Sequence, residues 1–156
     1  MANSYGKEWE TKIKEDFQKI EGTSIDRIYD TKNGYKNINN ISDFIAYMYP
    51  CIYYLEAKSC RGNTFPLSNL TQYAKLSTKV GIPGVRVGIV LWLIDHDVCL
   101  YVPISTVIKM KEDGKKSINI KMIQDDAYNI KVVPSVKKRV FLDCDYTILR
   151  NLKDGE

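Results

Sequence analysis

The chain has 156 residues, 23 Lys plus Arg against 19 Asp plus Glu, and a formal net charge of +4. That length suits one domain (1–156), and 44% hydrophobic residues excludes a disordered tail. No apolar run reaches the roughly 18 residues that span a bilayer, so no membrane partner is expected, and the mild positive charge permits a nucleic-acid partner without requiring one. The first element is predicted to be a helix, with Ser4 as N-cap, Trp9, Ile13, Phe17 and Ile20 at helical spacing, and Gly22 ending it. Glu10 sits beside that apolar stripe. Ile25 to Tyr29 reads as a short strand, and Asp30 to Asn40, rich in Asn, Gly and Lys, as a loop. Ser42–Met48 and Cys51–Ser59 form a hairpin signal around Tyr49-Pro50, with proline favouring a turn longer than two residues. The chain then turns at Thr64–Pro66. A second helix follows, capped by Ser68 or Asn69, with Leu70, Tyr73, Leu76 and Val80 inward and Gly81 and Pro83 closing it. Val85–Leu93 and Val98–Val102 read as a second hairpin around Asp95-His96-Asp97, with His96 an exposed turn residue. Ser105 caps a short helix through Met110, and Ile118–Ile123, Ile130–Val133 and Val140–Leu149 complete the pattern. The expectation is an α/β fold with a central mixed sheet flanked by helices.

The four cysteines, Cys51, Cys60, Cys99 and Cys144, are scattered, and His96 is the one histidine. Zinc sites with the usual Cys and His spacings are therefore excluded, as is any mechanism needing two histidines. Scattered thiols and an N-terminus without an apolar signal segment point to the cytoplasm, with the cysteines reduced and mostly buried. Any catalysis must rest on carboxylates, lysines or hydroxyls.

Those groups occur together on one predicted strand. Alternation puts Ile52, Tyr54, Glu56 and Lys58 on one face and Tyr53, Leu55 and Ala57 on the other. If the hairpin turns about Tyr49-Pro50 with an even loop, Asp43 falls opposite Glu56, with Lys58 one step along; an odd loop would move Asp43 to the other face. Opposed carboxylates repel, and a divalent cation such as Mg²⁺ or Mn²⁺ would relieve them. The residues alone leave a second reading open, a surface salt bridge in which Lys58 neutralises Glu56.

The ordered set of Glu10, Asp43 and, thirteen positions on, Glu56-Ala57-Lys58 resembles the PD-(D/E)xK nuclease signature. More closely it resembles the RecU family of Holliday-junction resolvases, in particular its short phage or prophage members. Gly6-Lys7-Glu8-Trp9-Glu10, Ser42-Asp43-Phe44, Tyr54-Leu55-Glu56-Ala57-Lys58, Thr64-Phe65-Pro66-Leu67-Ser68-Asn69 and Gly114-Lys115-Lys116-Ser117-Ile118 carry the likeness. It implies a restriction-endonuclease-like core and a Mg²⁺-dependent endodeoxyribonuclease, with Mn²⁺ as substitute. Asp43, Glu56 and the Ala57 carbonyl would be metal ligands. Lys58 would orient or activate the attacking water, and Glu10 would bind or position a second metal ion or its water. Gln72 would contact the scissile phosphate.

Partners implied by the likeness are branched DNA in the form of a four-way junction, a second copy of the chain in a homodimer, and a recombinase. The compartment is the bacterial cytoplasm or a phage-infected host cell. Larger members carry a long stalk before the metal aspartate; here the corresponding stretch, residues 31–41, is short, with Lys32, Tyr35 and Lys36 able to meet DNA. Arg61, Thr64, Lys115 and Lys116 are further DNA-contact candidates, and Lys109, Lys111 and Lys137-Lys138-Arg139 are basic clusters suited to a phosphate backbone. Two other readings remain at this point: a restriction-like or repair nuclease acting on linear duplex, and a non-catalytic DNA-binding module on the same fold.

Overall fold

The computed structural model describes residues 4–29, 31–33, 36–38, 40–125 and 127–156. Helix α1 (Ser4–Gln18) leads into β1 (Thr23–Arg27). β4 (Phe44–Met48) and β5 (Cys51–Cys60) form the first long hairpin, and β7 (Val85–Leu93) and β8 (Val98–Pro103) the second. With β10 (Lys131–Val133) these make a six-stranded sheet in the order β1-β4-β5-β7-β8-β10. All neighbours are antiparallel except β5 and β7, which run parallel at its centre. Three smaller pairs complete the strands: β2 (Thr31–Asn33) with β3 (Lys36–Ile38), β6 (Thr64–Pro66) with β9 (Ser117–Asn119), and β11 (Ser135–Lys138) with β12 (Phe141–Cys144).

Alternation along the strands divides the core in two. Trp9, Ile13 and Phe17 of α1 pack on Ala46, Tyr53, Leu55, Val90 and Trp92 on one face of the sheet. Val87, Ile89, Leu91 and Leu93 point to the other face, against Leu76 of α2 (Tyr73–Ser77) and Val107 and Met110 of α3 (Ile104–Glu112). A strand buried on both faces reads as a continuous apolar run, as Val87–Leu93 does after Arg86. Trp9 also donates its indole N–H to the Val90 carbonyl at 3.3 Å, which fixes α1 along the sheet. Asp16 accepts the Cys144 N–H at 2.9 Å, and Lys12 pairs with both Asp16 and Asp143, tying the helix to β12.

Several expectations need correction. The turn between β4 and β5 is two residues long, since Met48 pairs with Cys51, and a cis peptide bond joins Tyr49 to Pro50. Cis proline is at home in such a tight turn. The polar stretch expected as a loop contains the β2–β3 pair, and Thr64–Pro66 is a strand rather than a turn. The second helix shrinks to five residues behind a 3-10 turn at Leu67–Asn69, and neither Ser68 nor Asn69 caps it. Burial of Leu67 and Leu70 in the second core sets that path, and Ser77 bonds back to the Tyr73 carbonyl at 2.7 Å, which weakens helical continuation. Ser105 lies inside α3, whose N-cap is Pro103. β11 carries no apolar alternation because all four of its residues are exposed.

Gly88 is packed too closely to carry a side chain. A Cβ there would lie 2.4 Å from Cζ of Tyr101, which is wholly buried and held by a hydrogen bond from its hydroxyl to the Glu156 carbonyl. Because the ring has nowhere to move, Gly88→Ala is expected to lower the unfolding free energy by about 1–3 kcal/mol, read as a lower urea midpoint at unchanged m-value.

Candidate active site

The β4–β5 register sums to 99: Phe44 pairs with Leu55 and Ile45 with Tyr54. One step before the strand, Asp43 reaches back across the pair, and its Oδ2 accepts the Ala57 N–H at 2.9 Å. On the opposed strand Glu56 is 2% exposed and lies beside Ile89 of β7. Its Oε2 is buried without a hydrogen-bond partner, while its Oε1 lies 3.9 Å from the Lys58 ammonium. Burial first, and then the neighbouring Asp43 carboxylate, push the Glu56 carboxyl up to about 9, with Lys58 and Arg27 acting in the opposite direction. Glu56 and Lys58 do form an ion pair, as the second reading expects, but not one on the surface. The contact is long, and the carboxyl is buried.

Glu10 approaches from α1 and meets Arg27 rather than Asp43 directly. Nε and Nη2 of Arg27 donate to Glu10 Oε2 at 3.1 and 2.9 Å. Nη1 donates to the Asp43 carbonyl at 3.1 Å, lies 3.4 Å from Asp43 Oδ1, and also meets the Ile28 carbonyl. The guanidinium sits 5.2 Å from the Tyr29 ring centre and 5.5 Å from that of Phe44. Burial raises the Glu10 carboxyl, the Asp43 charge raises it further, and Arg27 draws it partly back. Arg27 was not among the residues expected at the site, although its signal was available: it shares strand parity with the buried Ile25, so a cation was due on the helix-covered face. Beside it opens a cleft of about 600 Å³, lined by Lys7, Glu10, Thr11, Lys14, Arg27, Tyr29 and Phe44.

The other candidates lie elsewhere. Gln72 precedes α2, accepts a hydrogen bond from Thr71 at 2.9 Å, and has no contact with the carboxylates among the described residues. Arg61, just past β5, pairs with Asp95 at 2.8 Å. Thr64 is exposed on β6, and Lys115 and Lys116 are exposed in the α3–β9 connection, where the Lys116 carbonyl accepts the Leu67 N–H. Lys32 and Lys36 fall on β2 and β3, with their side chains outside the description, and Tyr35 lies outside the described residues. His96 is an exposed turn residue bonded to Asn63, as expected, and all four cysteines are free thiols, three of them buried.

A family model described as recombination protein U (RecU) matches residues 4–142. The chain belongs to the RecU family. Among solved structures, Hjc of Archaeoglobus fulgidus, described as a Holliday junction resolvase from an archaeal hyperthermophile, is similar at a TM-score of 0.55 and 18% identity. The alignment covers 74% of this chain and 89% of Hjc. No curated protein sequence matches the chain. The likeness to Hjc is one of fold, and the sheet of this RecU-family chain, with helices on both faces, has the restriction-endonuclease-like architecture expected from its sequence.

The donor chemistry of this RecU-family site fits a divalent cation. Two carboxylates meet where one buried oxygen lacks a hydrogen-bond partner, an arrangement that is costly unless a proton or a cation relieves it. Among the described residues no three Asp, Glu, His or Cys side chains form a ready ligand shell. Asp43 and Glu56 are two such side chains, and Arg27 holds Glu10.

The raised Glu56 carboxyl has a consequence for stability. Its neutral form is favoured by folding, so that contribution is complete below the ordinary value of 4.5 and is lost as pH rises toward about 9. Without divalent ions, the urea midpoint of Glu56→Gln is expected to gain on wild type steadily from about pH 5 to about pH 9.

Proposed function

We propose that this RecU-family chain is a Mg²⁺-dependent endodeoxyribonuclease that resolves four-way DNA junctions by symmetric phosphodiester hydrolysis. The observation that carries the reading is the buried Glu56 carboxylate, with its orphaned Oε2, set against Asp43. Asp43, Glu56 and the Ala57 carbonyl would hold the ion. When bound, Mg²⁺ would polarise water and neutralise charge developing on the phosphoryl oxygens. In the reaction a water oxygen forms a bond to phosphorus as the bond to the leaving 3′ oxygen breaks. The water proton departs, and the leaving oxygen takes up a proton.

Lys58 acts from the same face as Glu56, where its Nζ orients the water and offsets negative charge near phosphorus. The Ala57 N–H holds the Asp43 carboxylate in one rotamer. Arg27 fixes Glu10 at the cleft edge, and Lys7 and Lys14 supply positive charge along the cleft for the backbone approaching the site. Hjc is described as a Holliday junction resolvase, and the same substrate is proposed here.

Symmetric cutting needs two sites, and the sheet offers a face for a second copy. Ile45 and Tyr47 on β4 pair with Tyr54 and Ile52 on β5, on the face away from α1. Ile45, Tyr47 and Ile52 are 36%, 42% and 41% exposed, with Tyr49 at the adjoining turn. An exposed apolar stripe of this kind suits a self-complementary two-fold interface. The shortness of the β2–β3 pair favours a second reading, cleavage of linear duplex by the same chemistry.

In Mg²⁺ the protein is expected to nick a synthetic four-way junction at symmetric positions. Asp43→Asn and Glu56→Gln should lose at least about 100-fold in rate while retaining junction binding. Equal cleavage of linear duplex at matched concentration would favour the second reading, and full activity in excess chelator would refute the metal mechanism. Tyr47→Lys is expected to convert a dimer to a monomer by light scattering with little change in its circular dichroism; an unchanged mass would move the interface elsewhere.

A further inference from the structure

The β11–β12 hairpin carries a residue that its own turn disfavours. Lys138 pairs with Phe141, so the loop is the two residues Arg139 and Val140. Two-residue hairpin loops require a positive φ at the first loop position, which Gly, Asn or Asp supplies with least crowding. Arg139 adopts φ 54° there with an exposed side chain. Among the described residues the other non-glycine with positive φ is Asp97 (φ 50°), an amino acid type that tolerates this conformation. Turn chemistry therefore does not account for arginine at this position.

Its surroundings suggest what does. Arg139 and Asp97 line one cleft of about 330 Å³, together with Arg61, Asp95 and Lys137. Arg61 pairs with Asp95 and Lys137 with Asp97, each at 2.8 Å, so these four charges offset one another and brace the walls. Arg139 has no ion-pair partner among the described residues, and the cleft is left with its positive charge. The cleft also lies at the active-site end of the sheet. Its Arg61 wall begins three residues after Lys58, a chain span of at most about 10 Å, which is about the reach of three nucleotides at roughly 3.4 Å each.

We propose that Arg139 is a phosphate-backbone contact that holds the DNA strand a few nucleotides from the bond cut at Asp43 and Glu56. Its planar guanidinium matches a phosphate in a bidentate manner, and the strained turn holds it at the rim of the cleft. The inference rests on the nuclease reading. It extends that reading by placing a DNA contact on a hairpin remote in sequence from the carboxylates.

The test uses Arg139→Asn and Arg139→Gly, which supply the residues the turn prefers, and Arg139→Lys, which keeps the charge. Binding to a fluorescent four-way junction is measured by anisotropy in Ca²⁺ across a salt series, with melting temperature recorded in parallel. The expected result is a melting temperature equal to or above wild type for Asn and Gly, with affinity about 5- to 10-fold weaker. The slope of log affinity against log salt should be shallower by about 1, and Arg139→Lys should retain most of the slope. Wild-type affinity and slope in Asn and Gly variants would overturn the inference while leaving the nuclease reading intact. Failure of the wild-type protein itself to bind the junction would overturn both.

Discussion

The site depends on the pairing of β4 with β5. A two-residue turn at Tyr49 and Pro50 fixes a register in which Asp43 stands next to Ala57, and the alternation of β5 then commits Glu56 and Lys58 to one face. A shift of one residue would turn Asp43 away and bring Ile45 and Tyr47 inward. The parallel neighbour β7 makes that shift costly, because each residue from Ile52 to Cys60 has its own partner there, from Val85 to Leu93. The geometry of the candidate site and the packing of the core are thus set by the same ladder.

The fold spends stability to hold this arrangement. Glu56 is buried among apolar neighbours with a second carboxylate at hand, and one of its oxygens finds no donor. Arg27 balances the other half of the cluster by joining Glu10 to Asp43, and its place over Tyr29 and Phe44 keeps the guanidinium from swinging into solvent. The acidic group is therefore asymmetric. The Arg27 side is electrostatically satisfied, and the Glu56 side keeps one oxygen without a donor. A buried, perturbed carboxyl beside a charge partner is a physical mark of a candidate functional site.

Most of this was legible where local rules and tertiary packing agree. The amphipathic period of α1, the double-sided apolar run of β7, and the alternation of β5 each impose one solution, and the even-turn arithmetic set Asp43 against Glu56. Legibility failed where side-chain contacts overrode local signals. The second helix is short because Leu67 and Leu70 are drawn into the core ahead of it, so Gln72 precedes a single turn of helix rather than lying within a long one. Arg27 was hidden because a lone arginine near a strand end looks solvated unless its parity with Ile25 is followed. β11 has no periodic signal at all, since it pairs only with β12 and buries nothing.

We propose Asp43 and Glu56 as a divalent-cation site. Manganese electron paramagnetic resonance reads this without DNA or turnover, by titrating Mn²⁺ into wild type and Glu56→Gln and following loss of the free-ion signal. The predicted result is saturable binding by wild type and its loss in Glu56→Gln, with the variant's fold intact by circular dichroism. Equal binding by both proteins, or none by wild type, would contradict the account.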